Sequence, residues 1–192
     1  MPSVFTSFLM VAAATLVLAA CDPPKEAATA PAAAVSAAAL QSEARGFSVG
    51  PAMSARTVYV FFDPQCPHCA ALWEAAKPLK SHARFVWIPV RLLNKTSEEQ
   101  GASLLAAPDP AKAMDEHEAS MRAKGPGIQP GPATDAQRPA VTANTALMTR
   151  YGFASVPTVV ATQAQTGALS THEGSMSTAE LARFLGVPAP AS

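Results

Sequence analysis

The chain has 192 residues, of which 49% are hydrophobic and 15% are charged, and its 14 basic and 14 acidic side chains give a formal net charge of +0. This composition excludes a disordered polyelectrolyte, and the lack of a basic block leaves nucleic-acid binding without its usual electrostatic signature. The length suits one domain with short appendages. The 3 cysteines are too few for a disulfide-stapled mini-protein, so their positions matter more than their number.

The N-terminus predicts export from the cytoplasm. Phe5 to Ala20 is an uncharged apolar run that is short for a membrane-spanning helix and suits a signal peptide. It leads into Leu-Ala-Ala-Cys21, which resembles the lipobox of bacterial lipoproteins. The resemblance implies that residues 1–20 are removed and that Cys21 is acylated. An uncleaved anchor and an unmodified signal peptide are the alternatives, since Met1 to Ser7 holds no Lys or Arg.

Residues 21–46 are predicted to form a tether. The segment is rich in Ala and Pro and offers little to bury, although Val35 to Arg45 could form a weak helix. Asp22, directly after Cys21, resembles an inner-membrane retention signal, which implies the inner membrane rather than the outer. We expect the folded domain to span residues 47–187 and a short tail to span residues 188–192.

The hydrophobic pattern after residue 46 predicts the order β-β-α-β, a helical block, and then β-β-α. The predicted strands are Phe47 to Gly50, Arg56 to Phe62, Arg84 to Val90, Val156 to Val160 and Thr162 to Glu173. The predicted helices are Ala70 to Ser81 with Pro67 at the first helical position, Ser97 to Ala106, Pro110 to Met121, Pro139 to Tyr151 and Ser177 to Leu185. Capping boxes at Ser97 and Ser177 and an N-cap at Asp109 mark three of the helix starts. Pro78 is expected to shorten the first of these helices.

The motif Cys66-Pro67-His68-Cys69 lies at a predicted strand-to-helix junction. At a helix N-terminus, unpaired N–H groups and the helix dipole favour a thiolate at Cys66, and His68 can add positive charge or a hydrogen bond. Cys69 lies one turn further along and is expected to act as the resolving thiol. A Cys-x-x-Cys at this junction is typical of the thioredoxin arrangement, so the predicted fold is α/β and thioredoxin-like, with a central mixed sheet and a helical insertion.

Two other interpretations of the motif are a structural disulfide and half of a zinc site. Zinc needs two further ligands, and the sequence has no second Cys pair. His82, His117 and His172 are scattered singly, and we expect them to be solvated surface residues. No metal site is therefore predicted.

Three segments resemble the periplasmic disulfide isomerases of the DsbC and DsbG type: Thr57 to Cys69, Ala107 to Lys112 and Tyr151 to Thr158. The resemblance covers Phe47 to Gly186. It implies thiol:disulfide exchange through a redox-active Cys66–Cys69 disulfide, without metal or organic cofactor. It also implies that the peptide bond before Pro157 is cis, and that Pro67, Val156, Pro157 and Thr158 bind substrate.

The sequence departs from that family in several ways. The dipeptide Pro67-His68 and the residue Val156 are typical of the oxidase DsbA rather than of the isomerases. Val60 stands where thioredoxin and DsbA carry a buried acid. The N-terminal dimerisation domain of DsbC and DsbG has no counterpart in the Ala-rich stretch before Phe47, so we expect a monomer with doubtful isomerase activity.

The predicted function is that of a membrane-tethered periplasmic thiol:disulfide oxidoreductase. Its expected partners are exported cysteine-containing proteins and a membrane redox partner that resets the dithiol, and no nucleic acid. The alternative is a non-catalytic thioredoxin-fold chaperone or a copper-handling module. The two-residue spacing of the cysteines and the lack of a His-rich or Met-rich tract disfavour copper handling.

Overall fold

The structure, a computed structural model, describes residues 32–163 and 167–190. The predicted signal peptide, Cys21, the first part of the predicted tether and the last two residues of the predicted tail lie outside the described residues. No helix within the described ranges is both long enough and apolar enough to cross a bilayer.

A five-stranded sheet forms the centre of the fold. Its strands are β1 (Phe47–Val49), β2 (Thr57–Phe62), β3 (Arg84–Pro89), β4 (Thr158–Thr162) and β5 (Leu169–Glu173). They lie in the order β1-β3-β2-β4-β5. β2 and β3 are parallel, whereas the other three pairs are antiparallel. The predicted central mixed sheet is therefore confirmed.

Among the described residues, six helices accompany this sheet. They are α1 (Ala37–Glu43), α2 (Pro67–Ala76), α3 (Lys95–Ala106), α4 (Pro110–Arg122), α5 (Thr134–Arg150) and α6 (Thr178–Leu185). Several predicted boundaries are confirmed. Pro67 begins α2, the Asp109 side chain caps α4, and Ser177 starts α6 with a complete capping box. Pro78 lies in a 3-10 turn, Lys77–Leu79, that follows the end of α2.

Two predicted helix starts are wrong, and tertiary contacts explain one of them. α3 begins at Lys95 with Asn94 as its N-cap, two residues before the predicted Ser97. α5 begins at Thr134, so that Pro139 lies inside the helix. The Thr134 hydroxyl accepts a hydrogen bond from the Gly131 N–H at 2.8 Å and lies 3.1 Å from the Ser103 hydroxyl. These hydrogen bonds to α3 and to the preceding loop stabilise the start of α5 at Thr134, whereas Pro139 had predicted a later start.

The segment before β1 is packed against the domain and is not an extended tether. Leu40 of α1 is fully buried in the same apolar cluster as Tyr59 of β2. The Asn144 side chain of α5 accepts a hydrogen bond from the Arg45 N–H at 2.9 Å and donates one to the Arg45 carbonyl at 2.7 Å. The domain boundary at residue 46 stays a prediction, and the helix expected within Val35 to Arg45 is present as α1. Leu40 is the buried side chain of α1, and the hydrogen bonds with Asn144 of α5 hold the residue that follows the helix.

The two faces of β2 are both buried, as its apolar residues at both odd and even positions predicted. Val58, Val60 and Phe62 face a cluster that also holds side chains from α2, α4 and α6. Tyr59 and Phe61 face a cluster shared with α1 and α5. The C-terminal end of this fully buried strand leads directly into the Cys-x-x-Cys motif.

Candidate active site

Cys66 occupies the N-cap of α2, where the chain turns from the end of β2 into the helix. Its backbone is extended, with φ −92° and ψ 115°, and its N–H donates to the Asp63 carbonyl at 3.0 Å. Pro67 follows at the first helical position, where a missing N–H costs nothing. Cys66 and Cys69 are both free thiols, and only Cys66 reaches the surface, with 7% of its area exposed against 0% for Cys69.

The surroundings of Cys66 favour its thiolate. A hydrogen bond from the Cys69 thiol is the largest influence, and it helps to lower the pKa of Cys66 to about 6. Burial opposes this shift, while the backbone N–H groups of Cys69 and His68 and the charge of His68 add to it. The expected helix N-terminus effect is therefore present. The charge of His68 comes last among these influences, and its side chain is exposed to solvent.

Cys69 has the opposite environment. Its burial, followed by its hydrogen bond to Cys66 and the Cys66 charge, raises the pKa of the Cys69 thiol far above its usual value. Cys69 therefore stays protonated in the reduced protein. The lowered pKa of Cys66 suits a nucleophile, and the raised pKa of Cys69 suits a resolving thiol.

The proline loop before β4 faces this dithiol. The Val156–Pro157 peptide bond is cis, which confirms the expectation from the family resemblance. When Cys66 is protonated, its thiol donates to the Val156 carbonyl, with 3.6 Å between sulfur and oxygen. Thr158 is fully buried and its hydroxyl donates to the Ser155 carbonyl at 2.7 Å, so its side chain supports the loop from inside. The structure thus brings Pro67 and the half-buried Val156 to the surface around Cys66, whereas Pro157 and Thr158 are buried.

Asp63 is a buried acid at the site that the sequence analysis missed. Its carboxylate accepts backbone N–H bonds from Gln65 at 2.8 Å and from Leu92 and Leu93 at 2.9 Å each. These bonds tie the turn before Cys66 to the loop after β3. Asp63 also acts on Cys69: a hydrogen bond with the Asp63 backbone lowers the pKa of that thiol, and the nearby Asp63 charge raises it. Val60 carries no acid, as noted, but the neighbourhood of Cys69 does hold a carboxylate.

His117 was predicted to lie on the surface, and that prediction is wrong. The side chain is 1% exposed, and its Nδ1 accepts the Ile128 N–H at 3.0 Å. Nε2 therefore carries the proton and donates to the Pro64 carbonyl at 2.8 Å. Burial lowers the pKa of His117, which keeps the ring neutral. Its role is to fasten the turn before Cys66 to α4.

Glu118 is the second functional candidate that the sequence analysis missed. It is 1% exposed, and its Oε1 has no hydrogen-bond partner. It lines a cavity of about 310 Å³ beside Cys66, between α2 and α4. Burial raises the pKa of the Glu118 carboxyl to about 7. The signal in the sequence is the helical spacing of Met114, His117, Glu118 and Met121, which places two titratable groups on the inner stripe of α4.

Residues 32–163 and 167–190 contain no group of three or more His, Cys, Asp or Glu side chains that could hold a metal ion.

Comparisons with known proteins agree with this geometry. A family model described as a thioredoxin-like domain matches residues 49–186. The chain is 33% identical over 140 residues to the thiol:disulfide interchange protein DsbG of Pseudomonas aeruginosa, a match that covers 71% of this chain. It is 37% identical over 65 residues, or 33% of the chain, to the DsbG of Escherichia coli. Among solved structures, the catalytic domain of Proteus mirabilis ScsC superposes with a TM-score of 0.59 at 15% identity, covering 77% of this chain and 91% of that one.

The relatives are longer than the matched region. The match spans 54% of the P. aeruginosa protein and 26% of the E. coli protein. The similarity therefore concerns the domain that carries the Cys-x-x-Cys motif and not the whole of either relative.

Proposed function

The chain belongs to the thioredoxin-like domain family, and on that premise we propose that it is a thiol:disulfide oxidoreductase that exchanges disulfides with exported proteins. The observation that carries the proposal is the asymmetry of the dithiol. Cys66 has a pKa of about 6 at the mouth of the site, whereas Cys69 is buried with its pKa raised. At neutral pH the outer sulfur is a thiolate nucleophile and the inner one holds its proton.

The exchange proceeds in two displacements. The Cys66 thiolate attacks one sulfur of a substrate disulfide, forms a mixed disulfide, and releases the other substrate sulfur as a thiolate. Cys69 then loses its proton, and its sulfur attacks the Cys66 sulfur. The Cys66–Cys69 disulfide forms, and the second substrate sulfur leaves with the electron pair. The substrate gains two electrons in this direction, and the same steps in reverse oxidise a substrate dithiol.

The loop around the cis peptide bond is proposed as the docking surface for the substrate backbone. The Val156 carbonyl lies 3.6 Å from the Cys66 sulfur, so an extended peptide joined to that sulfur passes directly over Val156 and Pro157. The exposed Pro67 ring forms the opposite side of the approach. Thr158 supports the loop through its bond to Ser155.

We further propose that the protein works in the periplasm, anchored by a lipid on Cys21. This rests on the lipobox-like sequence before Cys21 and on the apolar run that precedes it. The partners are cysteine-containing exported proteins and a membrane redox protein that resets the dithiol. A Cys21→Ser variant tests the anchor: labelled fatty acid is expected on the natural chain and not on the variant, and equal labelling contradicts the proposal.

The exchange activity is tested by equilibrating the protein with reduced and oxidised glutathione and measuring the Cys66–Cys69 disulfide. Wild type is expected to form it reversibly. Cys69→Ser is expected to accumulate a mixed disulfide on Cys66, because the resolving thiol is gone, and Cys66→Ser is expected to accumulate none. A protein that binds Cu(I) through both thiols but exchanges no disulfide would instead support the copper-handling alternative.

A further inference from the structure

The cavity between α2 and α4 opens beside Cys66 and has mostly apolar walls. Those walls come from Pro64, Pro67, Ala70, Ala71 and Met121. Its buried polar feature is the Glu118 carboxyl, whose Oε1 has no hydrogen-bond partner. An acceptor left unpaired in an apolar site costs about 1 to 3 kcal/mol, more if it is charged. The cost disappears when a bound group supplies the missing donor.

The charges around the cavity indicate which donor fits. Glu74 and Arg122 line the cavity but satisfy one another, with 2.9 Å between the Arg122 Nη1 and the Glu74 Oε1. Lys77 is also bound to Glu74, at 2.9 Å. Arg122 and Lys77 are thus each in an ion pair with Glu74, and within the described residues neither the Glu118 carboxyl nor the Cys66 thiolate, both acidic, has an ion pair of its own. A cation is therefore the complementary occupant.

We propose that this cavity is a subsite for a lysine or arginine side chain of the substrate polypeptide, with Glu118 as its acceptor. The proposal rests on the proposed exchange function, because the basic residue must lie next to the cysteine that Cys66 attacks. The apolar walls receive the methylene stem of such a side chain, while the charged end meets Glu118. A cavity of about 310 Å³ has room for one long side chain.

The subsite has a built-in pH dependence. The charged groups that face Glu118 are Arg122 on its own helix and, across the cavity, Glu74, Lys77 and Cys66. Glu118 has a pKa of about 7 in the free protein, so it is neutral in acid and an anion in mild alkali. The preference for a basic side chain therefore grows as the pH rises through 7. Cys66 has a pKa of about 6, so it is mostly a thiolate at pH 7 and above, and its own titration changes the rates of both peptides alike.

The test uses synthetic peptides that carry one cysteine in a mixed disulfide with glutathione. They differ only at the residue next to the cysteine, which is lysine in one and norleucine in the other. The rate constant for reduction of each peptide is measured with wild type, with Glu118→Gln and with Glu116→Gln, at pH 6 and pH 8. Glu116 is the matched control, because it lies on α4 but is 69% exposed and pairs only with Lys112 at 3.8 Å.

Wild type and Glu116→Gln are expected to favour the lysine peptide about tenfold at pH 8, a difference of about 1.4 kcal/mol. The ratio is expected to fall towards one in Glu118→Gln, and in wild type at pH 6. Equal rates for both peptides with wild type, or a preference that persists in Glu118→Gln, would overturn the subsite.

A second measurement separates the subsite from the exchange function. The same peptides with serine in place of cysteine are titrated into the full-length protein while the carboxyl carbon signal of Glu118 is followed by NMR. A shift with the lysine peptide alone supports the subsite even if no peptide disulfide is reduced, in which case only the exchange function fails. A lack of any shift overturns the subsite even when reduction proceeds.

Discussion

The acidity of Cys66 depends on its neighbour in the motif more than on the histidine between the two cysteines. The hydrogen bond from the Cys69 thiol is the largest favourable influence on the Cys66 pKa, and the charge of the exposed His68 is among the smallest. The sequence motif shows that His68 is adjacent to Cys66, but not that its side chain is exposed to solvent or that the Cys69 thiol is a hydrogen-bond donor.

This ranking predicts the outcome of two substitutions. Cys69→Ala is expected to raise the Cys66 pKa from about 6 by about one unit, because it removes the thiol donor. His68→Ala is expected to raise it by less. The rate of alkylation of Cys66 by iodoacetamide as a function of pH measures both. A larger shift in His68→Ala than in Cys69→Ala would show that the charge of the histidine dominates.

Glu118 makes a separate prediction about stability. Its folded pKa of about 7 lies above the usual value of 4.5, so the folded state holds this proton more tightly than the unfolded state. Stability is therefore lost as the pH rises from 4.5 to 7. Glu118→Gln removes that loss and is expected to be more stable than wild type by about 2 kcal/mol at pH 8, with no such gain at pH 4.

Urea unfolding of both proteins at these two pH values measures the difference. Glu116→Gln is again the control, and it is expected to match wild type because its side chain is largely exposed. If the gain in Glu118→Gln were the same at both pH values, it would come from packing and not from the buried charge.

The elements of this fold differ in how well the sequence predicted them. β2 and β3 are apolar along most of their length, and a buried strand is the simplest structure for such a run. α6 carries its start signal within its own residues, as the capping box at Ser177. The start of α5 depends in part on Ser103, which lies 31 residues before Thr134 in the chain and which no local pattern connects to it. His117 and Glu118 were missed because ionisable side chains are rarely fully buried, and only the packing of α4 over the motif buries these two.

The role of α1 in the domain is tested at Leu40. Leu40→Ala is expected to reduce the free energy of unfolding by about 2 to 4 kcal/mol, because the side chain is fully buried against the sheet. Gln41→Ala on the exposed side of the same helix is expected to change it by less than about 0.5 kcal/mol. Equal, small effects from both would show that α1 does not stabilise the domain and that it belongs to the predicted tether.

At the scale of the molecule, ionisation of Cys66 stabilises the folded state of the reduced protein. The Cys66 pKa falls from 9.0 to about 6 on folding, so this contribution is complete above pH 9 and is lost as the pH falls through 6. Relative to Cys66→Ala, reduced wild type is expected to gain about 2 kcal/mol between pH 6 and pH 8. Denaturant unfolding of both reduced proteins measures it, and a constant difference across that range is the contrary result.

The surface of the described residues predicts a monomer. Their large exposed hydrophobic side chains are Met53, Leu92 and Leu93, which are too few for a stable dimer interface. Sedimentation of the Cys21→Ser chain is expected to give one copy per particle, with poor reshuffling of scrambled disulfides. A stable dimer that reshuffles them well would show that residues outside the described ranges build an interface.

The two tryptophans of the chain lie together in the core beneath the dithiol. Their ring centroids are 4.9 Å apart, and Trp73 lies on α2 one turn beyond Cys69. Trp73 also donates from Nε1 to Asp115 at 2.8 Å. All indole emission from this protein therefore arises from a single place, and a nearby disulfide quenches indole emission more strongly than a thiol does. The intrinsic tryptophan fluorescence of the natural chain is therefore expected to report the redox state of Cys66 and Cys69 in real time, without an added dye.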